Sequence, residues 1–392
     1  MSMSRTITIA MDSFKGSMTS KEAGNAIKEA LLEMSPDYNV NVFAVADGGE
    51  GTVEALTYGR DNVTTRAITV TGPLGGSVEA VYTMYDNSKG KTAIIEMAAA
   101  AGLTLVPIEH RNPMHTTTFG VGEMIRDAIM QGCRHFIIGI GGSATNDAGI
   151  GMLQALGYHF TDSHGREVSY GTEGIGMISD MGFEDVMYEL HECSFDVACD
   201  VNNPLVGING CSYVYAPQKG ASKSMIADMD KAIYRYADLV EHIAGCDMSG
   251  LKANGNRYTE GTGAAGGLGY AFLMFLNATL RPGIDIILDE IGIENAIRES
   301  DIVITGEGRL DSQTLMGKTP YGVATIAKRY NKTVYVYAGC FGEGIEECKQ
   351  SRLFDKCYSI TDGLENVLLK MAMKKENAIN NLKDSIKKTC FT

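Results

Sequence analysis

The residues best suited to chemistry lie in the run Gly139-Ile140-Gly141-Gly142-Ser143-Ala144-Thr145-Asn146-Asp147. The apolar stretch 135–140 before it reads as a buried strand, and 149–156 after it reads as a helix. Glycines at such a junction let the main chain approach an anion, Ser143 and Thr145 add hydroxyl donors, and Asp147 offers a hard oxygen that suits magnesium. The chemistry suggested is nucleotide phosphate plus metal. Three further glycine-bearing turns carry acids or bases: Asp12-Ser13-Phe14-Lys15-Gly16, Asp47-Gly48-Gly49-Glu50-Gly51, and Gly306-Glu307-Gly308-Arg309-Leu310-Asp311.

Strands and helices must alternate to position these turns. The β-branched run 5–11 precedes the first, and Thr19-Ser20-Lys21-Glu22 forms a capping box that opens a helix to about Met34. Strand 41–46 precedes the second turn and strand 301–305 the third. A helix is expected from the Gly317-Lys318-Thr319-Pro320 segment to about Tyr330, then a strand over 333–338 and a long closing helix over 364–388. In an open α/β sheet ligands bind outside the carboxyl ends of the strands, so the first two turns should line one crevice.

The middle of the chain differs in texture, with strands expected at 78–85, 92–97, 135–140, 195–199 and 212–216 and long connections between them. This predicts a two-domain α/β protein. Residues 1–74 and 283–392 form a discontinuous Rossmann-like domain with a parallel sheet, and residues 75–282 form an inserted α/β domain with a mixed sheet. The Gly- and Pro-rich segments at 71–76 and 281–283 are the expected crossings.

Composition narrows the classes. The 392 residues are 44% hydrophobic and 21% charged, as in ordinary globular proteins. A formal charge of −14 argues against nucleic acid as a partner. Nine scattered cysteines without a C-x-x-C pair fit reduced thiols, and the N-terminus shows no apolar signal core. The longest apolar stretch, 263–276, is short for a membrane span and reads as a buried helix. A cytoplasmic protein that does not engage membranes is expected.

Several motifs carry two readings. Gly317-Lys318-Thr319 resembles the end of a Walker A loop, but Ser312 stands where the required glycine would fall. Gly139 to Ala144 satisfies the dinucleotide pattern, with Asp162 near the distance expected for ribose recognition, and Gly261 to Gly266 matches too. An NAD-dependent dehydrogenase of a small hydroxy acid is therefore the alternative, and a non-catalytic sugar-acid sensor is another. The acids argue against the dehydrogenase, because carboxylates repel a pyrophosphate unless a cation bridges them, and ligand binding without ATP turnover would mark the sensor. Phosphoryl transfer needs such acids. Each also has a structural reading: Asp12, Asp47 and Asp147 as helix caps, Lys15 and Lys318 as solvated lysines, Arg309 as a partner of Glu307 or Asp311. The Pro217-Gln218-Lys219-Gly220-Ala221-Ser222 segment either starts a helix or brings Lys219 to an anion.

In order along the chain, these motifs resemble the bacterial glycerate kinase family, type-1 group. The resemblance rests on Asp12 to Gly16, Asp47 to Thr52, Thr71 to Gly75, Arg111-Asn112-Pro113, Gly139 to Asp147, Ala198 to Val201, Asn203-Pro204-Leu205, Pro217 to Ala221, Gly263 to Gly269 and Thr305 to Lys318. Departures are Ala148, Thr262 and Cys211. The resemblance implies transfer of the ATP γ-phosphoryl group to D-glycerate with Mg2+, the 2-phosphate product being favoured over the 3-phosphate, in a monomer or homodimer. On chemical grounds Gly141, Gly142, Ser143 and Thr145 are then expected to cradle the nucleotide phosphates, with Gly306 and Glu307 as further nucleotide contacts. Asp147 or Asp47 would hold magnesium, Asp311 would accept the hydroxyl proton, Lys15 and Lys318 would neutralise phosphoryl oxygens, and Arg309 would meet the glycerate carboxylate.

Overall fold

A computed structural model describes residues 5–49, 51–245, 255–362, 371 and 373–389. The chain divides into two compact units, residues 1–59 with 282–392, and residues 60–281. The first crossing thus lies before the expected 71–76 segment. The reason is the strand Thr64–Thr71, which pairs antiparallel with Ser77–Asn87 across the Gly72–Gly76 turn and so belongs to the second unit.

The first unit is built on a five-stranded, wholly parallel sheet. Thr6–Met11 lies between Asn39–Ala44 and Ile302–Leu310, followed by Thr333–Phe341 and Lys356–Ser359. Counted along the unit, the spatial order is 2-1-3-4-5, so successive strands leave Thr6–Met11 in opposite directions on its two sides. That places the topological switch point between Thr6–Met11 and Ile302–Leu310, where a parallel sheet opens a crevice at its carboxyl edge. The helix Ser20–Met34 starts at the expected capping box, with Thr19 Oγ1 accepting from Glu22 N–H and Glu22 returning the bond. Its buried face, including Ile27 and Leu31, packs with Leu382 and Ile386 of the helix Lys375–Thr389 against Ile7, Ile9 and Ile304. Each such side chain contributes about 1.5–3 kcal/mol by leaving water. The first part of the expected closing helix, 364–370, lies outside the described residues, as does Glu50.

One expectation changes in this unit. The strand predicted to stop at Thr305 continues to Leu310, so Gly306-Glu307-Gly308-Arg309 is sheet, not loop. Gly306 makes this possible: a Cβ there would stand 1.9 Å from the Tyr337 carbonyl oxygen of the neighbouring strand.

The second unit carries a six-stranded mixed sheet. Gly90–Glu96, His135–Gly139, Ser194–Ala198 and Thr279–Arg281 run parallel, and Ser77–Asn87 and Thr64–Thr71 extend it antiparallel. His135–Gly139 is buried throughout, as expected for a strand flanked by parallel neighbours in a layered fold. The helix Phe119–Met130 packs against the same sheet at Thr64–Thr71 and Gly90–Glu96 and against the helix Ile150–Ala155. Phe119–Met130 begins after the 111–118 segment, which forms turns. The apolar stretch 263–276 is a buried helix, Ala264–Phe275, entered through left-handed Ala265, Gly266 and Gly267. Among the described residues no helix is long and apolar enough to cross a membrane. The strand expected at 212–216 is instead the short helix Cys211–Tyr215, with Cys211 and Ser212 turned into the core. Four apolar residues in five fit a buried strand or a buried helix equally well by pattern, and packing decides.

Candidate active site

In the first unit the acidic residues gather at the carboxyl ends of three adjacent parallel strands. Asp12 follows Thr6–Met11 and its backbone N–H donates to the Gly306 carbonyl at 2.9 Å, which fixes it beside Glu307. Asp12 is 4% exposed. Its Oδ1 accepts from Ser13 N–H at 2.6 Å and its Oδ2 from the Thr319 hydroxyl at 3.0 Å. Burial, reinforced by the negative charge of Asp47, pushes its carboxyl up to about 6. Asp47 follows the next strand, and its only described contact is a 3.3 Å bond from Gly49 N–H. Exposed Lys15 adds a modest attractive field at Asp12.

Glu307 is also buried, and burial pushes it up to about 7. It accepts from the Thr314 hydroxyl at 2.6 Å, and that hydroxyl in turn accepts from the Asp311 backbone N–H at 3.1 Å. Lys318 Nζ stands 3.9 Å from Glu307 Oε2 and 3.5 Å from Asp311 Oδ1. Asp311 caps the turn Ser312–Met316 through Gln313 N–H at 3.0 Å, and its Oδ2 lies 3.6 Å from Arg309 Nε. Four carboxylates, two lysines and an arginine thus share one sheet edge. Gly306 and Glu307, expected as loop contacts to a nucleotide, are strand residues here. Glu307 braces Lys318 and Thr314, and Gly306 allows close strand packing.

Among the described residues no group of three or more His, Cys, Asp and Glu side chains is arranged to hold a metal ion. Asp12 and Asp47 nevertheless present hard oxygens with no cation in direct contact, and their mutual repulsion is a cost that a divalent ion would remove. Mg2+ commonly binds through one or two carboxylates and completes its shell with water and substrate phosphate, so the pair fits it.

In the second unit the glycine loop follows His135–Gly139. Gly142 is left-handed at φ +73° and exposed, while Gly141 has open space where a Cβ would stand. The short helix Ile150–Ala155 begins well after these glycines. Asp147 occupies the intervening position and is fully buried. Its Oδ2 accepts from Thr118 N–H and the Thr118 hydroxyl, both at 2.8 Å, and from Gly151 N–H at 3.4 Å. Its Oδ1 accepts from Gly149 N–H at 3.2 Å. A carboxylate so engaged already serves the donors that an incoming anion would use, with three bonds on Oδ2 and one on Oδ1. These contacts are those of the cap reading of Asp147.

The same loop explains why the dinucleotide pattern misleads. That fingerprint needs a helix opening directly from the glycines, and here seven residues separate Gly142 from the first helical residue, Ile150. Asp162, the candidate ribose contact, is held by Arg166 in a two-pronged pair at 2.7 and 3.0 Å, which lowers it to about 2.

Sequence reasoning left Lys219 undecided and overlooked Glu96. Lys219 is 2% exposed, and its Nζ donates to Ser143 Oγ at 2.7 Å and to the Thr145 carbonyl at 2.6 Å. Burial pulls it down to about 8. Its segment also starts the helix Lys223–Ala244, capped by Ser222, so the helix-start reading of that motif holds. Glu96 ends its strand opposite Gly139, and burial pushes it up to about 7. The only early sign of Lys219 was a lysine between Pro217-Gln218 and Gly220. Glu96 had none, since an acid after Ile94-Ile95 reads as a strand end.

A sequence model described as the glycerate kinase family matches residues 7–390. Glycerate 2-kinase of Escherichia coli K12 is 44% identical over 86% of this chain and 86% of its own length. Glycerate kinase of Bacillus subtilis 168 is 43% identical over 98% and 99%. The crystal structure of a Salmonella typhimurium LT2 protein provisionally named glycerate kinase 2 superposes with a TM-score of 0.84 at 41% identity, covering 98% of this chain and 99% of that one.

Proposed function

The chain belongs to the glycerate kinase family, and from that premise we propose that it transfers the γ-phosphoryl group of ATP to the 2-hydroxyl of D-glycerate in a Mg2+-dependent reaction. The observation that carries the chemistry is the gathering of Asp12, Asp47, Glu307 and Asp311 with Lys318 at the switch point of a parallel sheet. The 2-hydroxyl is favoured because the E. coli relative is named a glycerate 2-kinase.

Asp47 and Asp12 would hold the magnesium ion, which supplies charge neutralisation on the phosphate oxygens. Lys318 and Lys15 neutralise charge that builds on the transferred group. Asp311 orients the attacking hydroxyl and takes its proton late, through the oxygen that faces Arg309 rather than the capping turn. Arg309, largely exposed, meets the substrate carboxylate as a two-pronged donor. Gly141, Gly142 and Ser143 approach phosphate oxygens through a main chain unencumbered by side chains. Thr145 Oγ1, buried without a hydrogen-bond partner among the described residues, supports a polar group near this loop.

A coupled ADP-release assay with D-glycerate tests the reaction, and NMR of the product tests the position. Turnover giving 2-phosphoglycerate is expected. ADP release that does not depend on D-glycerate would remove the reading, and 3-phosphoglycerate would remove the positional assignment.

A further inference from the structure

Lys219 is a buried ammonium whose two contacts are both neutral oxygens. A buried charge is costly unless it is paired; neither a hydroxyl nor a carbonyl pairs it, and Asp147, whose oxygens serve Thr118, Gly149 and Gly151, attracts it without forming an ion pair. The ammonium carries three hydrogens, so one remains beyond the two bonds described. The bond to Ser143 has a direction. Lys219 can only donate, so Ser143 Oγ must accept, and the hydroxyl hydrogen of Ser143 is forced away from the lysine. No acceptor for that hydrogen occurs among the described residues. Ser143 is 8% exposed and adjoins the exposed Gly141 and Gly142, where the space beside Gly141 is open.

Resting on the phosphate-loop reading above, we propose that Lys219 is a positioning residue for an oxyanion subsite at Gly141-Gly142-Ser143. It polarises the Ser143 hydroxyl, aims its hydrogen outward and supplies the positive charge that the ligand balances. The shared chemistry is an oxyanion, either a phosphate of ATP or the carboxylate of D-glycerate. Thr145, whose carbonyl is pinned by Lys219 and whose own hydroxyl has no partner, fixes the far side of the same loop.

Calorimetric binding of MgATP and of D-glycerate, each alone, tests this on Ser143→Ala, Lys219→Met and the double variant. The single variants should weaken the same ligand by roughly tenfold to a hundredfold, the size of a lost charge-assisted hydrogen bond. The double variant should lose no more than the worse single one, because both act through one hydroxyl. Weakened MgATP supports both the subsite and the nucleotide placement. Weakened D-glycerate alone supports the subsite and removes the nucleotide placement. If Lys219→Met does not fold, Ser143→Ala decides: unchanged affinity for both ligands overturns the proposal. Folded Lys219→Met that binds both ligands normally overturns it as well, as does strict additivity.

Discussion

The two units solve one local problem with opposite charge. Both place glycine-bearing turns at the carboxyl ends of parallel strands. In the first, buried Asp12 is left without a contacting cation among the described residues and burial holds it near 6, while buried Glu307, near 7, meets Lys318 at 3.9 Å. In the second, the carboxylate of Asp147 is engaged by backbone donors and the Thr118 hydroxyl, and the buried cation Lys219, within the field of Asp147, makes its direct contacts only with neutral oxygens. One sheet edge is therefore suited to a cation and the other loop to an anion. The lesson is that an acid beside glycines does not by itself mark a metal site. What decides is whether its lone pairs are already occupied.

Four experiments break or sharpen this contrast. Chelation by EDTA should bring turnover to background, and added Mg2+ should restore it; undiminished turnover in chelator would break the assignment of the first unit. Asp311→Asn should lower kcat by about a hundredfold or more while leaving the melting temperature within a few degrees. A kcat near that of the parent chain would retire Asp311 as proton acceptor.

Asp147→Asn should cost about 1–3 kcal/mol of stability, because the amide NH2 would confront N–H donors where the carboxylate accepted them. The Mg2+ concentration for half-maximal rate should not change. A raised Mg2+ requirement would return Asp147 to the metal.

The smallest effect concerns pH. Lys219 sits near 8 when folded, below the usual lysine value of 10.5, so the unfolded chain binds more protons between those values. Its destabilising effect is complete below about 8 and is relieved as pH rises toward 10.5. Thermal unfolding of the parent chain should therefore gain up to about 3 kcal/mol from this group across that window, at about 1.4 kcal/mol per pH unit. Lys219→Met should lack that gain. Parallel pH profiles for the two proteins would show that the ammonium is not buried as described.

Much of the fold was legible because its signals are local. The Thr19 capping box, the alternation of short apolar runs with amphipathic helices, and the Gly-rich entry to a buried helix all follow from neighbouring residues. The failures occurred where a distant partner decides. Gly306-Glu307-Gly308-Arg309 reads as a turn until the strand Thr333–Phe341 supplies its hydrogen-bond ladder. Residues 211–215 read as a strand until packing selects a helix, and the 72–76 turn reads as a crossing until its flanking strands pair.

By itself the sequence determined the class of chemistry, the α/β architecture and the family, because residue types, their spacing and their order are covalent facts. Only the tertiary structure decided which carboxylates remain available. The occupancy of an oxygen's lone pairs, the burial that moves Asp12, Glu307 and Lys219, and the meeting of Lys219 with Ser143 across 76 positions depend on distances that a linear order does not contain.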